Sequence, residues 1–274
     1  MSISKYKFGV TQGRLTKSTE LQRFPQEAWQ LEFVNASNLG ISFIELLSEK
    51  SFNPSNPLWS TSGRSEIKNL CSNNKINAYS IVCDRSIEHS LIDDFNNNSC
   101  NHYINNLFLA ASDLACSIVV LPLMEESYID SDNMHKFSDT LNFLSNEAMK
   151  HNITICLETH LKSRDLLDLF ELMNKDNIKA VFDTGNRCIL DENIYSETLI
   201  LNKYLKHVHI KDKDIDGNNV ILGDGLANFK DFFLALNEIN YSGPLVFETQ
   251  RTSNPIRNHE ISINLCNSFI NNVK

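Results

Sequence analysis

Four short apolar runs in the second half of the chain each end in a group able to bind a metal ion. They are Ile153-Thr154-Ile155-Cys156-Leu157-Glu158, Ile178-Lys179-Ala180-Val181-Phe182-Asp183, Leu205-Lys206-His207-Val208-His209 and Gly243-Pro244-Leu245-Val246-Phe247-Glu248. The terminal groups Glu158, Asp183, His209 and Glu248 stand 25, 26 and 39 residues apart. Three carboxylates and one imidazole suit a hard or borderline divalent cation. Carboxylate-rich coordination favours Mn²⁺ or Mg²⁺, while the single imidazole leaves Zn²⁺ and Co²⁺ open. Each residue also has a plainer reading. A strand-terminal Asp or Glu serves as often as a turn residue or helix N-cap, and a lone His is more often core or surface. The coincidence of all four at one end of consecutive strands decides for a single metal ion.

Convergence of this kind needs parallel strands. Each run carries β-branched and aromatic residues and is too short for helical periodicity, so each reads as a buried strand. Four further runs end near Val10, Leu47, Val82 and Leu121, giving eight at a mean spacing of about 34 residues. Helical patterns lie between them. Helix 1 is expected from Pro25, with Trp29, Phe33 and Ala36 on one face and Gly40 as the stop. Phe137, Leu141, Leu144 and Ala148 mark another amphipathic helix. Further helices are expected over 164–173, 229–239 and 258–270. The fold class is therefore α/β, a (β/α)8 TIM barrel, with residues 1–274 forming a single domain. In such barrels the active site lies at the C-terminal end of the strands. The segment Ser48–Gly63, with Asn53-Pro54 and Asn56-Pro57, exceeds a plain βα turn and is expected at the mouth. Asn96-Asn97-Asn98 reads as loop filler.

Bulk properties exclude several classes. The net charge is −9 and the pI about 5.4, against the basic face that nucleic-acid binding requires. The seven cysteines, at 71, 83, 100, 116, 156, 188 and 266, form no CxxC pair and read as free thiols in a reducing compartment. Met1-Ser2-Ile3-Ser4-Lys5 opens no secretory signal, and no apolar stretch approaches the roughly 18 to 20 residues that span a bilayer. A cytoplasmic protein with a small-molecule partner is expected, with no membrane contact. The oligomeric state, a homo-oligomer included, is left open by the sequence.

Leu157-Glu158-Thr159-His160, Phe182-Asp183-Thr184-Gly185-Asn186, His207-Val208-His209-Ile210-Lys211-Asp212, Leu222-Gly223-Asp224-Gly225 and the run to Glu248 together resemble the metal-site motifs of the xylose-isomerase-like TIM-barrel superfamily, the sugar (phosphate) isomerase/epimerase group. The resemblance covers essentially the whole chain and is most specific over 153–250. The opening Gly9-Val10-Thr11-Gln12-Gly13-Arg14-Leu15 resembles the start of some sugar-phosphate members. By this resemblance Glu158, Asp183, His209 and Glu248 hold one divalent cation. Two departures stand out. Asn186 occupies a position where many epimerases and the related abasic-site endonucleases carry histidine, and no Asp-x-His triplet follows His209. One ligand of a trinuclear zinc site is thereby missing, which with the acidic charge argues against an abasic-site nuclease, and free-ketose specificity does not simply transfer.

The ligand types point to proton removal next to a carbonyl, with the cation stabilising an enediolate. Glu158 and Glu248 are the expected proton shuttle, since paired glutamates act from opposite faces in the ketose 3-epimerases that the chain resembles. Asp183 and His209 are expected to be ligands alone. His160 and Lys211 follow ligands by two residues and are expected at the same mouth. Arg14, Arg187 and Arg251 are candidates for a phosphate or carboxylate, Glu45 for a substrate contact or a supporting acid, and Asn186 for a substrate contact. Gly223 and Gly225 are expected to shape a loop. The expected function is a metal-dependent sugar or sugar-phosphate isomerase or epimerase. A dehydratase of inosose or dehydroshikimate type is the alternative, and a non-catalytic sugar-binding barrel the third.

Overall fold

A computed structural model describes residues 6–18, 20–96, 99–190 and 192–272. Eight strands run parallel: β1 (Phe8–Thr11), β2 (Phe43–Ser48), β3 (Asn77–Cys83), β4 (Ile118–Leu123), β5 (Thr154–Thr159), β6 (Ile178–Asp183), β7 (Leu205–Ile210) and β8 (Leu245–Phe247). They close into a barrel in chain order, with β8 paired to β1. This is the expected TIM barrel. The order follows from right-handed βα crossovers, each of which delivers the chain to the neighbouring strand position.

Eleven α-helices are described. They are α1 (Trp29–Asn38), α2 (Thr61–Asn74), α3 (Arg85–Glu88), α4 (Leu91–Asn96), α5 (Ser99–Asp113), α6 (Met134–Met149), α7 (Ser163–Met173), α8 (Thr184–Cys188), α9 (Ile194–Leu201), α10 (Phe229–Glu238) and α11 (Pro255–Asn272). The apolar face predicted around Phe137 is buried in α6, with Phe137, Leu141, Leu144 and Ala148 all inside. Burying a side chain of Leu or Phe size contributes about 1.5 to 3 kcal/mol. Helix 1 departs from expectation. Pro25 heads a turn closed by the Ala28 amide on the Pro25 carbonyl at 2.8 Å, and regular helix begins only at Trp29. Asn96 ends α4 instead of filling a loop, while Asn97 and Asn98 lie outside the described residues. Among the described residues no helix is long and apolar enough to cross a membrane.

The interior of the barrel is divided. Leu47, Val82, Ile118, Val120, Cys156 and Val181 form an apolar cluster over the β2–β6 arc. Buried Thr11, Glu45, Ser80, His207 and His209 make the rest polar. The register shifts at Ile44/Glu45 and at Ala180/Val181. Such irregularities re-aim the side chains that follow. After the second shift Asp183 pairs directly with His209.

Candidate metal centre and active site

Glu158, Asp183, His209 and Glu248 converge as their spacing implies. Each offers one ligand atom within 4.8 Å of the others, and all four residues are buried. Nδ1 of His209 lies 3.6 Å from Glu158 Oε2, 3.7 Å from Asp183 Oδ2 and 3.4 Å from Glu248 Oε2. None of the three contacts is a hydrogen bond, and Nδ1 has no hydrogen-bond partner. Two atoms bound to one ion at about 2.1 Å lie at most about 4.2 Å apart, and all three distances from Nδ1 fall inside that limit, as a shared divalent cation requires. The donors are of the right kind as well: three hard oxygens and one imidazole nitrogen.

Glu45 accounts for the way His209 points. Its Oε1 is 2.9 Å from His209 Nε2, and its Oε2 is 2.8 Å from His207 Nε2. Thr11 and Ser80 donate their hydroxyls to the same carboxylate, at 3.0 and 2.8 Å. Glu45 is 1% exposed. The substrate-contact reading is thereby corrected: both oxygens are occupied beneath the site. A carboxylate on one ring nitrogen fixes the tautomer and leaves the other nitrogen's lone pair for a metal. Burial works to raise the pKa of Glu45, but His209 and His207 outweigh it and hold the carboxyl below its usual range.

Asp183 combines two of its sequence readings. Its Oδ1 caps α8 by accepting the Asn186 amide at 2.8 Å, while Oδ2 faces the cluster. Asn186 then turns its side-chain amide onto Glu158 Oε1 at 2.7 Å. Lys211 reaches the centre, its Nζ 2.8 Å from Asp183 Oδ2 and 2.9 Å from Glu248 Oε2. For both carboxyls burial is the largest influence and acts upward. Lys211 and His209 outweigh it, so Asp183 falls below its ordinary value and Glu248, with Arg14 added, falls well below. In Glu158 burial prevails and the shift is upward.

Arg14, in the turn after β1, meets the cluster at Glu248. Its Nη2 is 3.3 Å from Glu248 Oε1 and 2.8 Å from Gln22 Oε1, and its Nη1 donates to the Leu21 carbonyl. Gln22 also donates to Glu248 Oε1, at 2.7 Å. Arg14 is fully buried and positions Glu248, which corrects its reading as an anion contact. Arg251 donates to the carbonyls of Leu21 and Arg23, bracing the same segment instead of facing substrate. Arg187 is inside the protein, on the Leu161 carbonyl and Glu197, and so is not a phosphate contact either. His160 follows β5 half-buried, with Nε2 lacking a partner and no direct bond to the four.

The loop after β7 is built on Asp212. Its carboxylate accepts the amides of Gly223, Gly225 and Ala227 at 2.9 to 3.0 Å. A Cβ at Gly225 would stand 2.3 Å from Asp212 Oδ1, so this position requires glycine. The two glycines shape the loop, as expected. Sequence reasoning gave no role to Asp212, Gln22, or Glu32, which accepts the Gly13 and Leu15 amides. Only the strand-end position of Asp212 hinted at it.

A family model described as xylose isomerase-like TIM barrel matches residues 33–268. The chain belongs to that family. Inosose dehydratase of Serratia proteamaculans is 25% identical over 152 residues, 46% of this chain and 51% of that protein. The chain thus spans about half the length of the curated inosose dehydratase it matches. Ketose 3-epimerase of Arthrobacter globiformis is 33% identical over 90 residues, 33% of this chain and 30% of that one. A solved D-psicose 3-epimerase with D-tagatose, from Clostridium cellulolyticum H10, superposes with a TM-score of 0.77 at 17% identity, over 96% of this chain and 99% of that one. At that identity the likeness concerns the fold. The two curated relatives bear the names of enzymes, a dehydratase and an epimerase.

Proposed function

We propose that this protein is a divalent-metal-dependent isomerase or epimerase of a ketose or ketose phosphate. One observation carries the reading: Nδ1 of His209 is turned toward three buried carboxylates at the C-terminal end of the barrel. Glu158, Asp183, His209 and Glu248 would hold the ion, with Mn²⁺ or Mg²⁺ favoured by the oxygen-rich set. When bound, the ion supplies Lewis-acid polarisation of a substrate carbonyl.

The chain's own residues supply the proton chemistry. Glu158 takes the proton on the carbon next to the carbonyl. Among the described residues its side-chain hydrogen-bond donor is the neutral Asn186 amide, so it is the stronger base of the pair. Glu248 carries three donors, Arg14, Gln22 and Lys211, two of them cationic. It serves the other side of the substrate. Lys211 orients a substrate oxygen from between Asp183 and Glu248.

The same asymmetry favours a second reading. If one glutamate is the base and the other is held as an anion, the enediolate is better placed to expel a β-hydroxyl, which leaves as water with the proton that Glu158 has taken from carbon, than to receive a proton on its opposite face. That is dehydration, the activity named in the inosose dehydratase relatives. Cysteines without disulfides among the described residues support a reducing, cytoplasmic setting.

The test is incubation of the metal-loaded protein in D₂O with ketoses, ketose phosphates and inososes, products being read by NMR. Deuterium next to a carbonyl in an epimer or isomer supports the first reading. Loss of water with an enone or diene chromophore supports the second. Full activity in metal-stripped protein refutes both.

A further inference from the structure

Among the described residues, Asp84 alone has both carboxyl oxygens buried and without a hydrogen-bond partner. It follows Cys83, the last residue of β3, and is 0% exposed. The two-residue period of the strand sets its direction. Ser80 points into the barrel, where it donates to Glu45. Val82 packs in the interior apolar cluster, and Asp84 is the next residue on that face.

The ladders set its height. Val82 pairs with Val120, and two residues further along β4 Pro122 pairs with Glu158. Asp84 therefore stands level with Glu158, two strands away, which is roughly 10 Å between backbones. Pro122, which forms the wall between them, has no polar side chain. The Asp84 amide donates to the Ser48 carbonyl at 2.9 Å, which fixes the backbone and leaves the carboxyl uncommitted. The charged groups acting on it are Glu248, Glu158, Arg14 and Lys50, and none is at hydrogen-bonding distance. Burial, with Glu248 and Glu158 added, raises its pKa to about 8.

A buried carboxyl without a partner is costly, and groups left in that state mark places that something else completes. We propose that Asp84 is a substrate-contacting acid of this site, its two oxygens taking adjacent hydroxyls of a polyhydroxylated ketone held across the barrel from Glu158. A vicinal pair of hydroxyls matches two oxygens on one carbon. The proposal rests on the function proposed above and adds the side on which the hydroxylated part of the substrate lies.

The experiment compares metal-loaded wild type with Asp84→Asn and Asp84→Ala. It measures solvent-deuterium exchange with each ketose and inosose, thermal shift with and without each sugar, and bound metal. The expected result is a fall in kcat/KM of at least tenfold in Asp84→Asn, and a larger fall in Asp84→Ala. The sugar-induced rise in Tm should vanish, metal content should hold, and the sugar-free variants should melt higher than wild type. An intact sugar-induced shift, or unchanged kcat/KM in both variants, overturns the proposal while leaving the function standing. Wild-type protein that neither exchanges nor is stabilised with any of the sugars overturns the function itself, and this proposal with it.

Discussion

Glu45 Oε1 and His209 Nε2 lie 2.9 Å apart although 164 residues separate them in the chain. This contact, not the strand-end position of His209 alone, aims Nδ1 at the three carboxylates. Partners of metal-binding histidines typically contribute 10- to 100-fold in metal affinity. Glu45→Gln is therefore expected to weaken Mn²⁺ binding by about that factor with the barrel still folded. Calorimetric titration alongside circular dichroism checks this. Unchanged affinity would remove Glu45 from the metal centre.

Lys211 forms ion pairs with Asp183 Oδ2 and Glu248 Oε2, the same oxygens that face His209 Nδ1. Its ammonium and a bound cation thus neutralise the same charge. Removing one partner of a buried ion pair costs about 3 to 5 kcal/mol. Lys211→Met should melt well below wild type when metal-free and recover most of the difference in millimolar Mn²⁺, by mass action on the folded state. Melting curves with and without EDTA decide it. A loss that metal does not restore would show that the two charges do not share the site.

Glu158 and Glu248 differ in their donors, and the difference should be visible in kinetics. Glu158→Gln is expected to lower the rate of deuterium uptake by at least a hundredfold, the usual scale of a general base. Glu248→Gln should spare more of the exchange than of the net turnover. Equal losses of exchange and turnover in both variants would contradict the asymmetry.

His259 gives a pH dependence away from the site. Burial holds its pKa at about 4, against 6.5 for the exposed group. Below pH 6.5 the unfolded chain takes up a proton that the folded chain refuses. Stability should fall as pH drops from 6.5 to about 4 and level off below, by roughly 3 kcal/mol in all. His259→Gln should flatten that part of the profile. Denaturant melts of both proteins between pH 3.5 and 7.5 make the comparison, and parallel profiles would refute the assignment.

Arg187 and Glu197 pair at 3.0 Å in the interior. Arg187→Met should cost stability, on the order of 3 kcal/mol, without changing metal affinity or KM for a phosphorylated substrate. A raised KM specific to phosphorylated sugars would return Arg187 to the substrate site.

What the sequence by itself determined were the eight strands, their parallel order and the convergence of four potential ligands. Each strand is a short apolar run whose last residue is chemically distinct, and in a closed parallel barrel the ends of all strands share one rim. That geometry is set by strand length and spacing, so Glu158, Asp183, His209 and Glu248 could be read directly. The tertiary structure decided what surrounds them. An arginine near a strand end looks the same in sequence whether it faces solvent or a buried carboxylate; Arg14 and Arg187 turned inward, while Arg251 stayed half-buried on the Leu21 and Arg23 carbonyls. Glu45 looked like a mouth residue because it stands near the end of its apolar run. The register shift at Ile44/Glu45 and the contacts with His207 and His209 placed it below the site. Asp84 carried no motif at all. Its significance is the absence of a partner on every neighbouring strand, a property of side chains brought together from across the barrel, which spacing along one chain does not encode.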